Sequence, residues 1–276
     1  MKGQIIKIIS NLYTVNSNGK SYECHSRGKF RNNKITPMVG DFVEFDAVNN
    51  YILEILPRYN ELERPLVSNV DQGLIVTSLK APDFSPNLLD KLLVIMEFNK
   101  IKPIICLTKY DLLNKTERKE IKKYVKYYQK IGYKVLYNTN IFRIKKLFKG
   151  HTTVFTGQSG AGKSTLINKL DKTLNLETGE ISKALGRGKH TTRFVQLIEL
   201  YGGKVVDTPG FSMIEFNGMS NQDIRDTFVE FKKYPCPFKD CMHLTEKECR
   251  VKEEVKNNHI LASRYDDYKK FIESRR

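Results

Sequence analysis

One eight-residue string constrains this chain more than any other feature: Gly157-Gln158-Ser159-Gly160-Ala161-Gly162-Lys163-Ser164, which fits G-x-x-x-x-G-K-S. It follows an apolar β-type run over 152–156 and precedes an apolar helical stretch over 165–170. A glycine-rich turn between a buried strand and a helix N-terminus aims successive backbone N–H groups at one point, a geometry that binds phosphate oxygens. The expected nucleotide-binding residues therefore run from Gly157 through Thr165. Lys163 is expected to neutralise the β- and γ-phosphates, and the Ser164 hydroxyl to ligate Mg²⁺.

Such a loop needs a parallel sheet around it. From residue 70 the chain alternates a buried strand (73–77), a helix (87–99), a second buried strand (103–107), a helix from Thr116, and a strand at 135–137. In the second helix Ile121, Tyr124, Val125 and Tyr128 mark one face, and Lys119, Lys122, Lys123, Lys126 and Lys130 occupy much of the rest. This alternation predicts an α/β domain with helices covering a parallel sheet.

Two further motifs address which nucleotide binds. Asp207-Thr208-Pro209-Gly210 follows the strand Lys204-Val205-Val206. Asp207 can hold Mg²⁺ through water, and the Gly210 N–H can reach a γ-phosphate. Thr108-Lys109-Tyr110-Asp111 follows the strand ending at Leu107 and resembles the N-K-x-D base-reading motif of GTPases. A carboxylate at Asp111 accepts hydrogen bonds from guanine N1–H and the 2-amino group, and the Lys109 stem can lie along the base. Thr108 stands where Asn is usual, so a tethering amide is expected to be lost. The three motifs together favour GTP. A P-loop ATPase or kinase would use the same phosphate loop, and base preference separates the two.

The flanks differ in character. Residues 1 to about 60 read as about five short strands with an Asn18-Gly19 hairpin signal, which predicts a small barrel. Its Arg27, Lys29, Arg31 and Lys34 lie in a turn-rich loop read as a nucleic-acid contact. Beyond Gly218 the chain is polar and helical, and too short to bury a core unaided. There Cys236, Cys241, His243 and Cys249 form C-x₄-C-x-H-x₅-C, three thiolates and one imidazole that complete a tetrahedral shell. That shell leaves no open position and predicts one structural Zn²⁺. The charged N-terminus does not read as a signal peptide, and no apolar run approaches the roughly 20 residues that span a bilayer. A cytoplasmic location follows, where reduced thiols bind metal rather than pair. Cys24 and Cys106 read as packing residues. Lys plus Arg outnumber Asp plus Glu by 47 to 31, a net charge of +16, which suits a polyanionic partner.

The motif order is permuted: T-K-Y-D first, then the phosphate loop, then D-T-P-G. With the small barrel before it and the cysteine cluster after it, the chain resembles the ribosome small-subunit-dependent GTPase family, bacterial circularly permuted GTPases that act late in 30S maturation. The likeness also includes Arg27-Gly28, Val39-Gly40-Asp41, Arg64-Pro65, Asn69-Val70-Asp71 and Gly186-Arg187-Gly188-Lys189-His190-Thr191-Thr192-Arg193. It implies a multidomain protein: an OB-fold barrel over 1–64, a circularly permuted α/β P-loop GTPase domain over 65–218, and an α-helical zinc-binding domain over 219–276. It implies GTP and GDP as ligands, the 30S subunit and its 16S rRNA as partners, no membrane, and a monomer. Residues 186–193 become switch I, with Thr192, or else Thr191, on Mg²⁺. Phe211 stands where Ras-like proteins place a water-orienting Gln, so unassisted turnover should be slow. His190 either orients the attacking water or packs and contacts RNA, and the sequence leaves both open. Lys163, Thr192 and His190 are the expected catalytic groups. The loop after 135–137 reads Asn138-Thr139-Asn140 where Ser-Ala is usual, which leaves the guanine contacts there undefined. A GTP-dependent RNA-binding sensor with incidental hydrolysis is the reading from another class.

Overall fold

The computed structural model describes residues 1–26, 36–63, 65–171, 195–207 and 215–275, the Asp207 side chain excepted. The basic loop residues Arg27, Lys29, Arg31 and Lys34 lie outside the described residues.

The N-terminal strands are β1 (Lys2–Ile9), β2 (Leu12–Ser17), β3 (Lys20–Ser26), β4 (Phe42–Asp46) and β5 (Tyr51–Ile55). The β2–β3 turn holds Asn18 and Gly19 at φ 52° and 79°, the two left-handed residues that a two-residue hairpin of matching twist requires. β3 then pairs with β5 in parallel, β5 with β4 antiparallel, and β4 back with β1, closing a five-stranded barrel. Alternation sends Ile5, Tyr13, Val15, Cys24, Val43, Phe45 and Ile52 into its core. The Val39-Gly40-Asp41 turn ties this barrel to the next segment. Buried Asp41 accepts from Arg58 Nε at 2.7 Å and Ser68 Oγ at 2.6 Å, and Asn69 Nδ2 donates to the Gly40 carbonyl at 3.0 Å. A hairpin of β6 (Glu61–Glu63) and β7 (Leu66–Ser68) follows and carries Ser68.

The central sheet follows with β8 (Gln72–Ser78), β9 (Lys102–Thr108), β10 (Lys134–Tyr137), β11 (Thr152–Thr156), β12 (Gln196–Leu200) and β13 (Gly203–Asp207). Its order is β10-β9-β8-β11-β13-β12, parallel except for β12. Helices α1 (Pro86–Phe98) and α2 (Lys115–Lys130) pack on the face that carries Ile75 and Ile105. Helices α3 (Ile141–Phe148) and α4 (Lys163–Leu170) cover the opposite face, with Leu74, Val76 and Ile104. Ser85 caps α1 by accepting from Leu88 N, with Pro86 pre-set in the first turn, and Asn114 with Glu117 forms a capping box on α2. Helix α3 had no counterpart in the sequence reading. Burial raises the Cys24 thiol and pushes Cys106 up to about 12, as inert packing residues should show. One antiparallel contact, Lys7 with Gln196, joins the barrel to β12, so the described strands other than β6 and β7 run as one eleven-stranded sheet.

The C-terminal part comprises α5 (Asn221–Thr227), a 3₁₀ turn over Phe231–Lys233, α6 (Arg250–Lys256) and α7 (Ala262–Glu273). Too small to bury a core alone, it borrows Val94 and Ile95 of α1, against which Phe228, Tyr268, Phe271 and Ile272 pack. A fully buried ion cluster sits at this junction. Arg264 donates from Nη1 to Asp90 Oδ1 at 2.6 Å and from Nε to Glu230. Tyr128 donates to Asp90 at 2.6 Å and Tyr127 to Glu230 at 3.2 Å. Pairing offsets much of the cost of burying these charges, although Asp90 Oδ2 has no hydrogen-bond partner among the described residues, and the cluster ties the C-terminal helices to α1 and α2. Among the described residues no helix is long and apolar enough to cross a membrane.

Candidate nucleotide site and metal centre

The parallel strands β9, β8, β11 and β13 end at one edge of the sheet, where loops collect and ligands bind. The phosphate loop leaves Thr156 there. Gly157 has φ +134°, and a Cβ on it would lie 2.0 Å from the Val76 carbonyl oxygen, so only glycine lets the loop hug β8. Gly162, at φ +90°, turns the chain into the first turn of α4. Lys163 is buried, and its Nζ donates to the carbonyls of Gly157 and Gln158, each at 2.7 Å. Burial pushes the Lys163 ammonium down to about 8. Ser164 is buried in the same turn, while Ser159, Gly160 and Thr165 are exposed.

Thr108 and Lys109 reach this loop directly. Thr108 Oγ1 donates to the Ala161 carbonyl at 2.7 Å. Where an Asn tether is usual, the Thr108 hydroxyl supplies one, because β9 ends close enough to the loop for a short side chain. Lys109, in the left-handed region at φ 59°, donates from Nζ to the Gly160 carbonyl at 2.9 Å and also to that of Ala81. The 3₁₀ turn Tyr110–Leu112 then leaves Asp111 exposed beside it. The Tyr110 ring meets Tyr137 edge-on at 5.1 Å, with the Arg118 guanidinium 5.1 Å from its centroid. Asn138 N donates to the Leu107 carbonyl at 2.9 Å, which brings the Asn138-Thr139-Asn140 loop alongside T-K-Y-D. Residues some fifty positions apart thus form one rim. The carbonyls of Gly160 and Ala161 escaped the sequence reading, because backbone acceptors leave no trace in residue type. Asp207 closes β13, the parallel neighbour of β11. His190, Thr191, Thr192, Gly210 and Phe211 lie outside the described residues.

The metal centre is local. Cys236, Cys241 and Cys249 Sγ lie 3.5, 3.3 and 3.4 Å from His243 Nδ1, and Cys236 and Cys249 Sγ are 3.8 Å apart. A tetrahedral ion with metal–sulfur bonds of about 2.3 Å and a metal–nitrogen bond of about 2.0 Å requires S···S near 3.8 Å and S···N near 3.5 Å. The four side chains fit that shell and can hold one metal ion. Supports around it lock the ligands. The Tyr265 hydroxyl donates to the His243 carbonyl at 2.6 Å, and the Glu246 carboxylate accepts from Met242 N and Leu244 N at 2.7 and 2.8 Å. Phe231 packs edge-on to the imidazole at 5.3 Å. Glu246 lies inside the ligand spacing but gives no signal of its own in sequence, and Tyr265 lies beyond it.

Comparison with known proteins places the chain. The RsgA N-terminal domain model matches residues 2–52 and the RsgA GTPase model residues 55–217. The Small ribosomal subunit biogenesis GTPase RsgA 2 of Oceanobacillus iheyensis is 48% identical over 99% of this chain and 96% of its own length. The Small ribosomal subunit biogenesis GTPase RsgA of Enterococcus faecalis is 48% identical over 100% of this chain and 97% of its own. Among solved structures, YloQ, described as a circularly permuted GTPase, superposes with a TM-score of 0.84 at 38% identity, covering 100% of this chain and 96% of that one. YjeQ from Thermotoga maritima gives 0.85 at 33% identity, over 99% and 97%. A barrel, a permuted phosphate-loop domain and a Cys₃His cluster in this order agree with those matches along the whole length, and the chain belongs to the RsgA GTPase family.

Proposed function

We propose that this RsgA-family GTPase binds GTP between the phosphate loop and the T-K-Y-D turn, hydrolyses it to GDP and phosphate, and does so on the small (30S) ribosomal subunit late in its maturation. The observation that supports this most is the pair of hydrogen bonds from Thr108 to Ala161 and from Lys109 to Gly160, which hold base reader and phosphate loop as one unit. The names of the relatives from Oceanobacillus iheyensis and Enterococcus faecalis support the ribosomal destination.

Each residue then has a role. Asp111 accepts from guanine N1–H and the 2-amino group, and the Lys109 stem lies along the base. Backbone N–H groups from Gly157, Gln158, Ser159, Gly160, Ala161, Gly162, Ser164 and Thr165 face the phosphates. The Lys163 ammonium exchanges its loop carbonyls for β- and γ-phosphate oxygens, and the Gly210 N–H donates to the γ-phosphate. Ser164 and Thr192 hold Mg²⁺ directly and Asp207 through water; the ion, when bound, neutralises charge that develops on the phosphate oxygens. In the reaction the water oxygen bonds to the γ-phosphorus, the bond to the bridging β-phosphate oxygen breaks, and GDP leaves with that electron pair. Phe211 has no group to orient the water, so His190 takes that part on the subunit. Cys236, Cys241, His243 and Cys249 hold one structural Zn²⁺, with no position left for catalysis. The basic loop with Arg27, Lys29, Arg31 and Lys34 contacts 16S rRNA. The protein acts as a cytoplasmic monomer divided at about residues 64 and 218.

The test is GTP hydrolysis with and without purified 30S subunits. Free enzyme should turn over on the order of 10⁻⁴ to 10⁻² s⁻¹, and the subunit should raise this by about 10²- to 10⁵-fold. No stimulation of the wild type removes the ribosomal part of the reading. His190→Ala should lower the stimulated rate far more than GTP affinity, since its contact forms mainly in the transition state. Stimulation that survives this change intact moves the water-orienting role to another group. Asp111→Asn should favour xanthosine over guanosine triphosphate, and an unchanged preference removes Asp111 as the base reader.

A further inference from the structure

Helix α2 has an outward face of unusual charge. Lys115, Lys119, Lys122, Lys123, Lys126 and Lys130 are all exposed there, against one exposed acid, Glu120. Its other carboxylate, Glu117, is already engaged by Lys80 and by the Asn114 N–H of the capping box. Four of the i,i+4 neighbours on this face are lysine with lysine: 115 with 119, 119 with 123, 122 with 126, and 126 with 130. Such like-charge pairs destabilise a helix, whereas a folding helix gains from alternating signs.

The same chain shows the ordinary arrangement elsewhere. In α6, Arg250 meets Glu253 at 2.9 Å; in α7, Lys269 meets Asp266 at 2.8 Å and Lys270 meets Asp267 at 3.9 Å. A general lysine bias would load α6 and α7 as it loads α2, yet those two helices place acids within reach of basic side chains, whereas α2 presents six exposed lysines to one exposed acid. A polyanionic partner outside the chain would offset the repulsion on α2.

Three observations narrow what that is. No large hydrophobic side chain is exposed between Lys115 and Lys130, so the face offers charge without an apolar anchor, as phosphate contacts need and bilayer insertion does not. The helix extends about 24 Å at ~1.5 Å per residue, which spaces its ammonium groups along a polyanion rather than around a single small anion. Finally, the face is rigid and crosses the domain junction. Tyr127 and Tyr128 anchor the inner side of α2 to Glu230 and Asp90 of the buried cluster, and Lys233 Nζ reaches the Lys130 carbonyl at 3.5 Å, which continues the stripe onto the C-terminal part.

We propose that the outer face of α2, continued by Lys233, is a phosphate-binding surface for a double-stranded segment of RNA, separate from the nucleotide site. The identity of that RNA as part of the small subunit rests on the function proposed above; the surface does not.

The test is a variant with Lys119→Gln, Lys122→Gln, Lys123→Gln and Lys126→Gln, beside a control with Lys269→Gln and Lys270→Gln. GDP affinity and melting temperature should be unchanged or, for melting, slightly raised in the first variant, since it removes repulsion. Binding is then measured over a salt series to purified 30S subunits and to a mixed-sequence RNA duplex of about 20 base pairs. The four-lysine variant should lose at least tenfold in affinity for both, with a log–log salt slope smaller by about 3, at roughly 0.7–0.9 per lost phosphate contact. The control should lose neither. If the wild type binds 30S and the variant binds it as tightly with the same slope, the surface is refuted and the ribosomal reading stands. If the wild type ignores 30S while duplex binding depends on the four lysines, the ribosomal reading fails and the surface stands. A wild type that binds neither RNA, or a loss confined to phosphatidylserine vesicles, overturns the proposal, the latter in favour of a membrane.

Discussion

The metal centre and the nucleotide site solve opposite problems. The four metal ligands lie within fourteen residues, and their ligating atoms stand within 4.8 Å of one another. The candidate nucleotide site brings together residues from 108 to 207 at the ends of separate strands. Its charged group, Lys163, is turned onto the Gly157 and Gln158 carbonyls of its own loop. One site has the geometry of its bound state built in; the other must trade internal hydrogen bonds for ligand contacts. A preorganised shell suits a permanent ion that holds structure. A self-satisfied loop suits a ligand that comes and goes, because the free state leaves no buried charge unpaired.

The largest way to break that contrast is to remove the metal. Structural zinc binding in small domains is worth on the order of 10 kcal/mol, more than the C-terminal helices can recover from the core they share with α1. Metal analysis should find one zinc per chain in protein purified under reducing conditions. Cys241→Ser, or a strong chelator, should abolish the far-UV helical signal of α6 and α7 and weaken 30S binding while GDP affinity persists. Burial raises the Cys241 and Cys249 thiols, so metal must displace their protons and should dissociate more readily as pH falls. Protein that lacks metal yet keeps an intact C-terminal fold would make the cluster an incidental grouping.

The second test strikes the nucleotide site at Lys163. Lys163→Ala should cost at least about 10²-fold in turnover, as loss of one charge-stabilising donor does. The free-state value also gives a pH signature. With the ammonium held down to about 8 by burial, the free protein carries this charge below that pH and loses it above. Phosphate binding restores the charge, so GDP affinity should be flat below pH 8 and fall above it, approaching tenfold per pH unit with uptake of one proton. Lys163→Ala should remove the slope. An affinity that stays constant from about pH 7 to 9.5 in the wild type would detach the lysine from phosphate binding.

The two sites also differed in how far they could be read in advance. Cysteine and histidine spacing states a ligand set outright, because the ligands are side chains close in sequence. The phosphate loop was equally plain, because its glycines answer to a backbone shape that Gly157 meets against Val76. The buried Arg264–Asp90–Glu230 cluster was invisible: its members are up to 174 positions apart, and each alone resembles a surface charge. Helix α3 was missed for a different reason. Ile141, Ile144, Leu147 and Phe148 do follow a helical period, but eight residues give too short a window to separate it from a loop. The β1–β12 contact rests on one residue pair between domains and leaves no pattern in either strand.

The smallest expected effect sharpens the contrast most, because it concerns one hydroxyl. Thr108 is 2% exposed, and its Oγ1 links the T-K-Y-D turn to the Ala161 carbonyl of the phosphate loop. In an N-K-x-D sequence the Asn amide would have the reach for this contact; here a shorter donor makes it. Thr108→Val keeps the β-branched shape that suits the end of β9 and deletes only the donor. The Ala161 carbonyl then loses a partner at a cost of about 1 kcal/mol, up to about 3 if water cannot replace it, or roughly 5- to 150-fold in affinity. Since the bond couples two halves of one site, the loss should appear with GDP, which spans both, and not with pyrophosphate, which needs the loop alone. Thr108→Asn should restore GDP binding. Equal weakening of both ligands would mean that the threonine holds the loop itself in shape, and no weakening of either would reduce the hydrogen bond to a packing coincidence. Loss with GDP alone would show that this site, unlike the metal centre, depends on contacts between segments far apart in the chain.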